Sequence, residues 1–342
     1  MERSFRVVNF AKTAFLSNKH SQTIFSSFFL PENKLKSEYL YEDIFLNTDD
    51  DLPDKLCIHH NPPLVSYKKS PVIFNGHYLV LVHGMEGTAD SHYIVTLAET
   101  ALRLGFGVIR MNLRACGFAE ELASKPYNAG GSLDLGTVVS YIYNHISKNI
   151  ILCGYSLSAN MVLKYLGEAV RKEVKFFSAV STPFDLKKGS EFIDSQQGKF
   201  YCDFFLRSFR DKLKRGLYSK ATPEMRRLGM TAETMFDYDD FFTGPLNGFK
   251  GAIDYYKASS CINYIYNIPQ QGIIVHADDD PLVPSALFES IDWRRLPNIS
   301  PILTRGGGHV AFLAKRSHEL PDGRWLNNTL LQYFAEKIGI YK

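Results

Sequence analysis

The chain has 342 residues, 45% hydrophobic and 22% charged, with a formal net charge of +3. That length and apolar content can fill one large α/β domain carrying an insertion, or two smaller domains, and so small a charge argues against a nucleic-acid partner. Five cysteines (Cys57, Cys116, Cys153, Cys202, Cys261) are odd in number and show no CxxC spacing, which points to a reducing compartment rather than a disulfide framework or a zinc site.

The amino terminus, Met1-Glu-Arg-Ser4, lacks the charged-then-apolar pattern of an export signal, and no apolar run reaches the ~18 residues of a membrane helix, so a cytoplasmic location is expected. Tyr41 to Leu46 and Lys55 to His59 read as strands either side of the acidic turn Asp49-Asp50-Asp51, an antiparallel hairpin, before a linker at Asn61-Pro-Pro63. Tyr78 to Val82 is a continuous apolar strand, and Ser91 stands where it can cap a helix that runs to Leu104 and ends at Gly105. Gly107 to Met111 is a strand and Ser132 opens a helix to about Ile146. The apolar run Ile150 to Cys153 leads through the turn Gly154-Tyr-Ser-Leu-Ser158 into a helix from Leu157 to about Gly167. Strands Phe176 to Ser181, Gly272 to His276 and Pro301 to Thr304, a short helix Ser285 to Ile291 and a last helix Leu326 to Ile338 complete the pattern.

Strands alternating with helices predict a mostly parallel central sheet with helices on both faces. The alternation breaks once, between Lys187 and Asn267, where the pattern is helical. The expected organisation is an N-terminal segment bearing the hairpin (1–70), a core (71–186), a helical cap insertion (187–267) and the rest of the core (268–342). In the cap, Phe200, Tyr201, Phe204, Phe205 and Phe209 recur at helical spacing among Arg207, Arg210, Lys212, Lys214 and Arg215. The plainer reading is an amphipathic helix packed on the body with its basic face in water; the sharper ones are an acyl-chain pocket or a peripheral membrane contact.

A serine on a strand-to-helix corner, written G-x-S-x-G, is the nucleophile elbow of an α/β-hydrolase. Ser156 occupies that corner, with Gly154 before it and Ser158 in place of the second glycine. Its hydroxyl needs a base, and in this fold the partners follow in the order serine, acid, histidine. His276, His309 and His318 lie downstream. His309 follows the glycine run Gly306-Gly-Gly308 after the last strand and is read as the base, the glycines letting its ring swing inward; His276 ends a strand and reads as structural. Asp280, directly before Pro-Leu-Val-Pro284, is read as the acid, with Asp279 and Asp185 as alternatives. Leu157 N–H at the helix start and Met85 N–H in the loop His83-Gly-Met-Glu-Gly87 are the candidate oxyanion donors; His83 and Glu86 read as loop-shaping. Asp278, Asp279 and Asp280 lack calcium-loop spacing, so neither metal nor cofactor is expected.

These residues resemble the YheT-like, or embryogenesis-associated-protein-like, α/β-hydrolases, a group that includes eukaryotic membrane-anchored α/β-hydrolase-domain lipases. The resemblance runs nearly end to end, through Asn18-Lys-His-Ser-Gln-Thr-Ile24, His83 to Gly87, Asn112 to Gly117, Tyr127 to Gly131, Gly154 to Asn160, Asp240 to Phe249, Asp254 to Tyr256, His276 to Pro281 and Gly307 to Phe312. It implies an α/β-hydrolase fold with a helical cap and the triad Ser156, Asp280, His309. It also implies a small-molecule ester substrate, of short or medium acyl chain or lipid-like. Without the eukaryotic anchor, the soluble bacterial-type enzyme is the nearer analogy. The expected function is serine-dependent hydrolysis of carboxylic esters; the alternatives are ester-forming acyl transfer at the same site, or a hydrolase-fold binding protein without turnover, motivated by Ser158 and Ala159. The segment holding Asn18, His20 and Gln22 is expected to pack near the cap.

Overall fold

The computed structural model describes residues 9–11, 20, 22–23 and 33–340. Three mainly apolar strands, Tyr78–Val82 (β5), Gly107–Asn112 (β6) and Ile150–Tyr155 (β7), are buried at every position. Such runs have no solvent face, as strands covered on both sides require. Glu42–Asn47 (β1), Lys55–Asn61 (β2), Val174–Val180 (β8), Gln271–Ala277 (β9) and Ile299–Thr304 (β10) complete an eight-stranded sheet, and Ser66–Tyr67 (β3) and Ser70–Pro71 (β4) form a separate small ladder. The order is β1-β2-β6-β5-β7-β8-β9-β10. The predicted hairpin β1–β2 joins β6 antiparallel, and every pairing from β6 to β10 is parallel. Pro301 lies in β10, an edge strand, where a missing N–H does least harm.

Side chains divide between the faces with period two. Val80 and Val82 of β5 pack on one face with Val138 of Ser132–His145 (α2) and Val162 of Leu157–Glu168 (α3). Leu79 and Leu81 pack on the other with Leu97 of His92–Arg103 (α1) and Leu330 of Trp325–Lys337 (α8). Fully burying one such side chain is worth about 1.5–3 kcal/mol.

Ser91 takes the N-cap position of α1, but its hydroxyl makes no cap bond and accepts from Thr88 N–H (3.0 Å) in the preceding turn. The sequence between β8 and β9 is helical, as its periodicity predicts: Leu186–Asp194 (α4), Lys199–Lys214 (α5), Pro223–Thr231 (α6) and Ala252–Ser259 (α7), with a π-helical turn at Asp239–Thr243. On α5 the apolar face buries Tyr201, Phe205, Leu206, Phe209 and Leu213, whereas Phe200 and Phe204 stay 62% and 56% exposed. Among the described residues no helix is long and apolar enough to cross a membrane.

Candidate active site

Ser156 stands between β7 and α3 with φ 54° and ψ −122°, a conformation that costs a non-glycine residue about 1–3 kcal/mol and persists only where its surroundings dictate it. Ser156 N–H donates to Val180 O of the neighbouring strand (2.8 Å), and its carbonyl accepts from Ala159 N–H (2.9 Å) in the first turn of α3. The close approach of strand to helix falls on Gly154, where an added Cβ would lie 2.5 Å from the backbone oxygen of residue 158. Ser158 therefore needs no glycine. Its buried hydroxyl donates to the His83 carbonyl and ties α3 to the loop after β5.

Asp280 and His309 meet. His309 Nδ1 lies 2.8 Å and 3.0 Å from the two carboxylate oxygens of Asp280, and both side chains are buried. Asp280 Oδ1 also accepts from Leu282 N–H (2.9 Å) and Val283 N–H (3.0 Å). Burial pushes the Asp280 carboxyl up, but the charge and hydrogen bond of His309, the charge of His276 and the backbone donor at Leu282 outweigh it and hold the group below its ordinary value. The pair presents an anionic acceptor to Nδ1.

The other candidates take different roles. Asp278 Oδ1 accepts from Gly306 N–H (2.6 Å) and Asp279 Oδ1 from Gly308 N–H (2.9 Å), so consecutive aspartates pin the loop that carries His309. Gly306, Gly307 and Gly308 have φ of 88°, 139° and 63°. The glycine run meets a backbone requirement rather than giving the ring freedom to swing. Asp185 caps α4 by accepting from Lys188 N–H (3.2 Å). His276 is buried, lies 3.1 Å from Val283 O through Nε2 and stacks on Phe288. His318 is exposed.

The loop after β5 is fixed from every side. Leu113 N–H donates to His83 Nε2 (3.1 Å) and His83 Nδ1 lies 2.7 Å from Gly84 O, which assigns the neutral Nδ1–H tautomer; burial depresses its pKa to about 4. Glu86 has φ 55°. Its N–H donates to the Tyr127 hydroxyl (3.0 Å), which donates back to Glu86 Oε1 (3.0 Å). The same carboxylate pairs with Lys212 Nζ of α5 (2.8 Å) and accepts from Ser208 of α5. Among the described residues, neither Met85 N–H nor Leu157 N–H has a protein acceptor, and both residues line the space beside Ser156.

Among the described residues, a cleft and a pouch adjoin Ser156. A cleft of about 640 Å³ is lined by Ser156, Met85, Thr23, Tyr201, Phe204 and His309. A pouch of about 90 Å³, lined by Ser156, Met85, Leu157, Leu186, Met235 and Asp239 among others, does not reach His309. The pouch is mostly apolar, and Asp239 within it is the polar residue that sequence reasoning missed. The pairing Asp239-Asp240 ahead of an aromatic run was the available signal.

Part of the N-terminal signature reaches the site. His20 Nδ1 lies 2.9 Å from the Tyr201 hydroxyl of α5, Gln22 clasps both backbone groups of Leu313 (3.0 and 3.1 Å), and Thr23 Oγ1 accepts from His309 N–H (3.2 Å). The segment thus touches the cap, as expected, and the His309 loop as well; Asn18 lies outside the described residues. Elsewhere, Asp43, Cys57 and His59 bring ligand atoms within 4.8 Å of one another. Both nitrogens of His59 are already engaged, with Asp43 and Tyr41 at one and Asn112 at the other, so the cluster serves as a hydrogen-bond network at the β1–β2 edge.

Residues 78–315 match the family described as alpha/beta hydrolase fold. The chain is 28% identical to the monoacylglycerol lipase of Saccharomyces cerevisiae, over 75% of this chain and 58% of that protein. It is 26% identical to the putative esterase YheT of Escherichia coli, over 87% of this chain and 85% of that protein. Among solved structures, the Pyrococcus furiosus esterase Pf2001 matches with a TM-score of 0.57 at 18% identity, covering 89% of this chain and 95% of that one; at that identity the likeness is one of fold.

Proposed function

The chain belongs to the alpha/beta hydrolase fold family, and from that premise we propose that it cleaves carboxylic esters through an acyl-enzyme on Ser156. The observation that carries this reading is the shared cleft: a serine on a strained strand-to-helix corner and a histidine backed by a buried aspartate face the same space. Ser156 Oγ attacks the acyl carbon while His309 Nε2 takes its proton, and Asp280 stabilises the imidazolium that results. The free amides of Met85 and Leu157 receive the oxyanion, each such donor being worth about 2.7–4 kcal/mol at the transition state. His309 then returns the proton to the departing alcohol, and water repeats the cycle. The yeast relative's name, monoacylglycerol lipase, and that of YheT, putative esterase, agree with this chemistry.

The two cavities divide the substrate. The leaving alcohol must lie against His309, which places it in the 640 Å³ cleft; the acyl group then enters the 90 Å³ pouch. At ~25 Å³ per heavy atom, the ratio for a cavity that just holds benzene, the pouch takes roughly three to four heavy atoms, a short acyl chain. Phe200 and Phe204, exposed on α5 beside basic residues, fit a lipid-like alcohol presented at a membrane surface. Ser158 leaves the corner's geometry intact, so that departure lends no support to a silent binding protein. The open cleft admits an alcohol as readily as water, and the partition between hydrolysis and acyl transfer is read from an alcohol titration.

A fluorophosphonate probe tests the reading. Wild type should be labelled and Ser156→Ala should not. An intact wild-type chain that never labels, or equal labelling of the variant, would contradict it. A panel of p-nitrophenyl esters should peak at short acyl length.

A further inference from the structure

The acyl pouch beside Ser156 does not end on solid protein. Next to it lies an inner chamber of about 40 Å³ whose lining does not include Ser156. Among the described residues, five line both spaces: Met85, Leu157, Met235, Asp239 and Tyr255. A residue that lines two neighbouring cavities stands between them, so these five make up the partition. Past it, Tyr127, Phe209, Tyr218 and Tyr238 give the inner chamber a largely aromatic lining, against which an aliphatic chain packs well.

Four of the five are committed elsewhere. Met85 and Leu157 carry the amides read as oxyanion donors. The Tyr255 hydroxyl accepts from Ala129 N–H (2.7 Å). Asp239 accepts from the Tyr256 hydroxyl (2.8 Å) and has a further side-chain bond with Thr243. Met235 differs. It begins the helical turn Met235–Tyr238 and is buried. Its N–H donates to Asp194 Oδ1 (2.7 Å), the N–H of Phe236 donates to Asp194 Oδ2 (3.1 Å), and Thr234 and Asp237 cap the turn reciprocally. The backbone is therefore tied at several points, while the side chain is an unbranched apolar filler of space. A substitution here changes the volume of the partition and leaves the path of the chain alone.

We propose that Met235 is the specificity-determining stop of the acyl pouch. It closes the pouch against the inner chamber and holds the acyl tail to about three or four heavy atoms, at ~25 Å³ per atom. The acyl donors are then esters of short aliphatic acids, and the inner chamber is a subsite for longer tails that a smaller residue at position 235 opens. The proposal rests on the acyl-enzyme reading above and names what limits its substrate. Truncation to alanine removes Cγ, Sδ and Cε and joins the chamber of about 40 Å³, which together make room for roughly four further chain atoms at the same ratio.

The test compares p-nitrophenyl acetate, butanoate, pentanoate, hexanoate and octanoate, spontaneous hydrolysis subtracted, on the full chain and on Met235→Ala, Met235→Val and Met235→Leu, with urea unfolding to show that each variant is folded. Wild-type kcat/KM should peak at pentanoate or shorter. Each methylene newly buried is worth roughly fourfold, so the octanoate-to-butanoate ratio should rise about tenfold or more in Met235→Ala and by a smaller factor in Met235→Val. Met235→Leu, which nearly keeps the volume, should stay within about threefold of wild type. A wild-type optimum at hexanoate or longer, or a ratio within threefold of wild type in every folded variant, would overturn the proposal. So would a rise in Met235→Leu equal to that in Met235→Ala, because the cause would then be a loosened cap rather than volume. Calorimetric binding of octanamide reads the pouch without turnover: Ser156→Ala/Met235→Ala should bind it at least tenfold more tightly than Ser156→Ala. Equal affinities, or no binding to either, count against the stop. If octanamide binding shifts but no ester is cleaved, the hydrolase reading fails and the stop stands; if Ser156 cleaves esters with one length profile in every variant, the stop fails and the hydrolase reading stands.

Discussion

Lys212→Met is expected to weaken both stability and turnover, although the lysine belongs to the cap and touches no reacting group. Its ammonium sits 2.8 Å from Glu86 Oε1, with the two side chains only 10% and 7% exposed. Removing one partner of a buried pair leaves the other charge stranded, typically at a cost of 3–5 kcal/mol. Glu86 keeps the hydroxyls of Tyr127 and Ser208, so the low end, about 3 kcal/mol, is the better expectation. Glu86 also holds a positive φ one residue after Met85. If the stranded carboxylate turns toward water, the Met85 amide leaves its aim. Complete loss of an oxyanion donor lowers kcat by about 10²–10³; with Tyr127 still holding Glu86 N–H, a fall of about 10- to 100-fold is expected, with KM changing less. Urea unfolding and p-nitrophenyl ester kinetics read the two effects. Adding Glu86→Gln removes the stranded charge, so the double variant should recover at least ~1 kcal/mol relative to Lys212→Met alone. Destabilisation under ~1 kcal/mol together with kcat within twofold of wild type would refute the idea that the cap braces this loop.

Asp280→Asn should lower kcat/KM by about 10³–10⁴, because a neutral amide no longer fixes the histidine tautomer or stabilises its cation; a loss under tenfold in esterase assays would remove Asp280 from the triad. Gly154→Ala should destabilise the chain by several kcal/mol, since the new methyl meets backbone 2.5 Å away, whereas Ser158→Gly should cost only about 1 kcal/mol for its hydrogen bond and keep fluorophosphonate labelling. Equal melting temperatures for those two variants would contradict the assignment of the close approach to Gly154. Asp239 carries a pH signature: its folded pKa of about 6 stands above the ordinary 3.8, so its ionisation opposes folding. The penalty is absent below about pH 4, grows as pH rises toward 6 and is complete above it, at about 3 kcal/mol by 1.36 kcal/mol per unit. Relative to Asp239→Asn, wild type should therefore regain roughly half of that on going from pH 7.5 to pH 5 in urea unfolding, and parallel pH dependences would sink this account.

The sheet was legible in the sequence because its central strands are mainly apolar runs separated by helices of recognisable period; β5 to β9 fall within two residues of their expected limits. That Ser156, Asp280 and His309 follow strands β7, β9 and β10 was legible for another reason. Their chain order and their places after successive strands put them at one edge of a parallel sheet, whatever the loops do. What could not be read was anything requiring two distant segments to meet. Glu86 and Lys212 are 126 positions apart, and neither carries a local mark distinguishing a buried partner from a solvated charge. Asp239 was hidden likewise: its chemistry depends on which side of a cap turn faces the pouch. Ser91 shows that even a local rule can lose to a nearer competitor, its hydroxyl going to Thr88 N–H instead of the helix it precedes.

The His309 loop shows most clearly how composition misleads without geometry. Three glycines in a row suggest freedom, yet each adopts a positive φ that a side chain would strain, and two of their amides are held by the aspartates one and two places before Asp280. Adjacent side chains on a loop point apart, which is why three successive aspartates make a poor metal site; the same divergence lets Asp278 and Asp279 reach two points of the facing loop while Asp280 reaches the imidazole. Thr23 holds the His309 amide from the opposite side. The proposed base is therefore held by contacts from two other parts of the chain. In the proposed reaction, that preorganisation would let a hydroxyl of ordinary basicity act as a nucleophile without the site having to assemble around each ester.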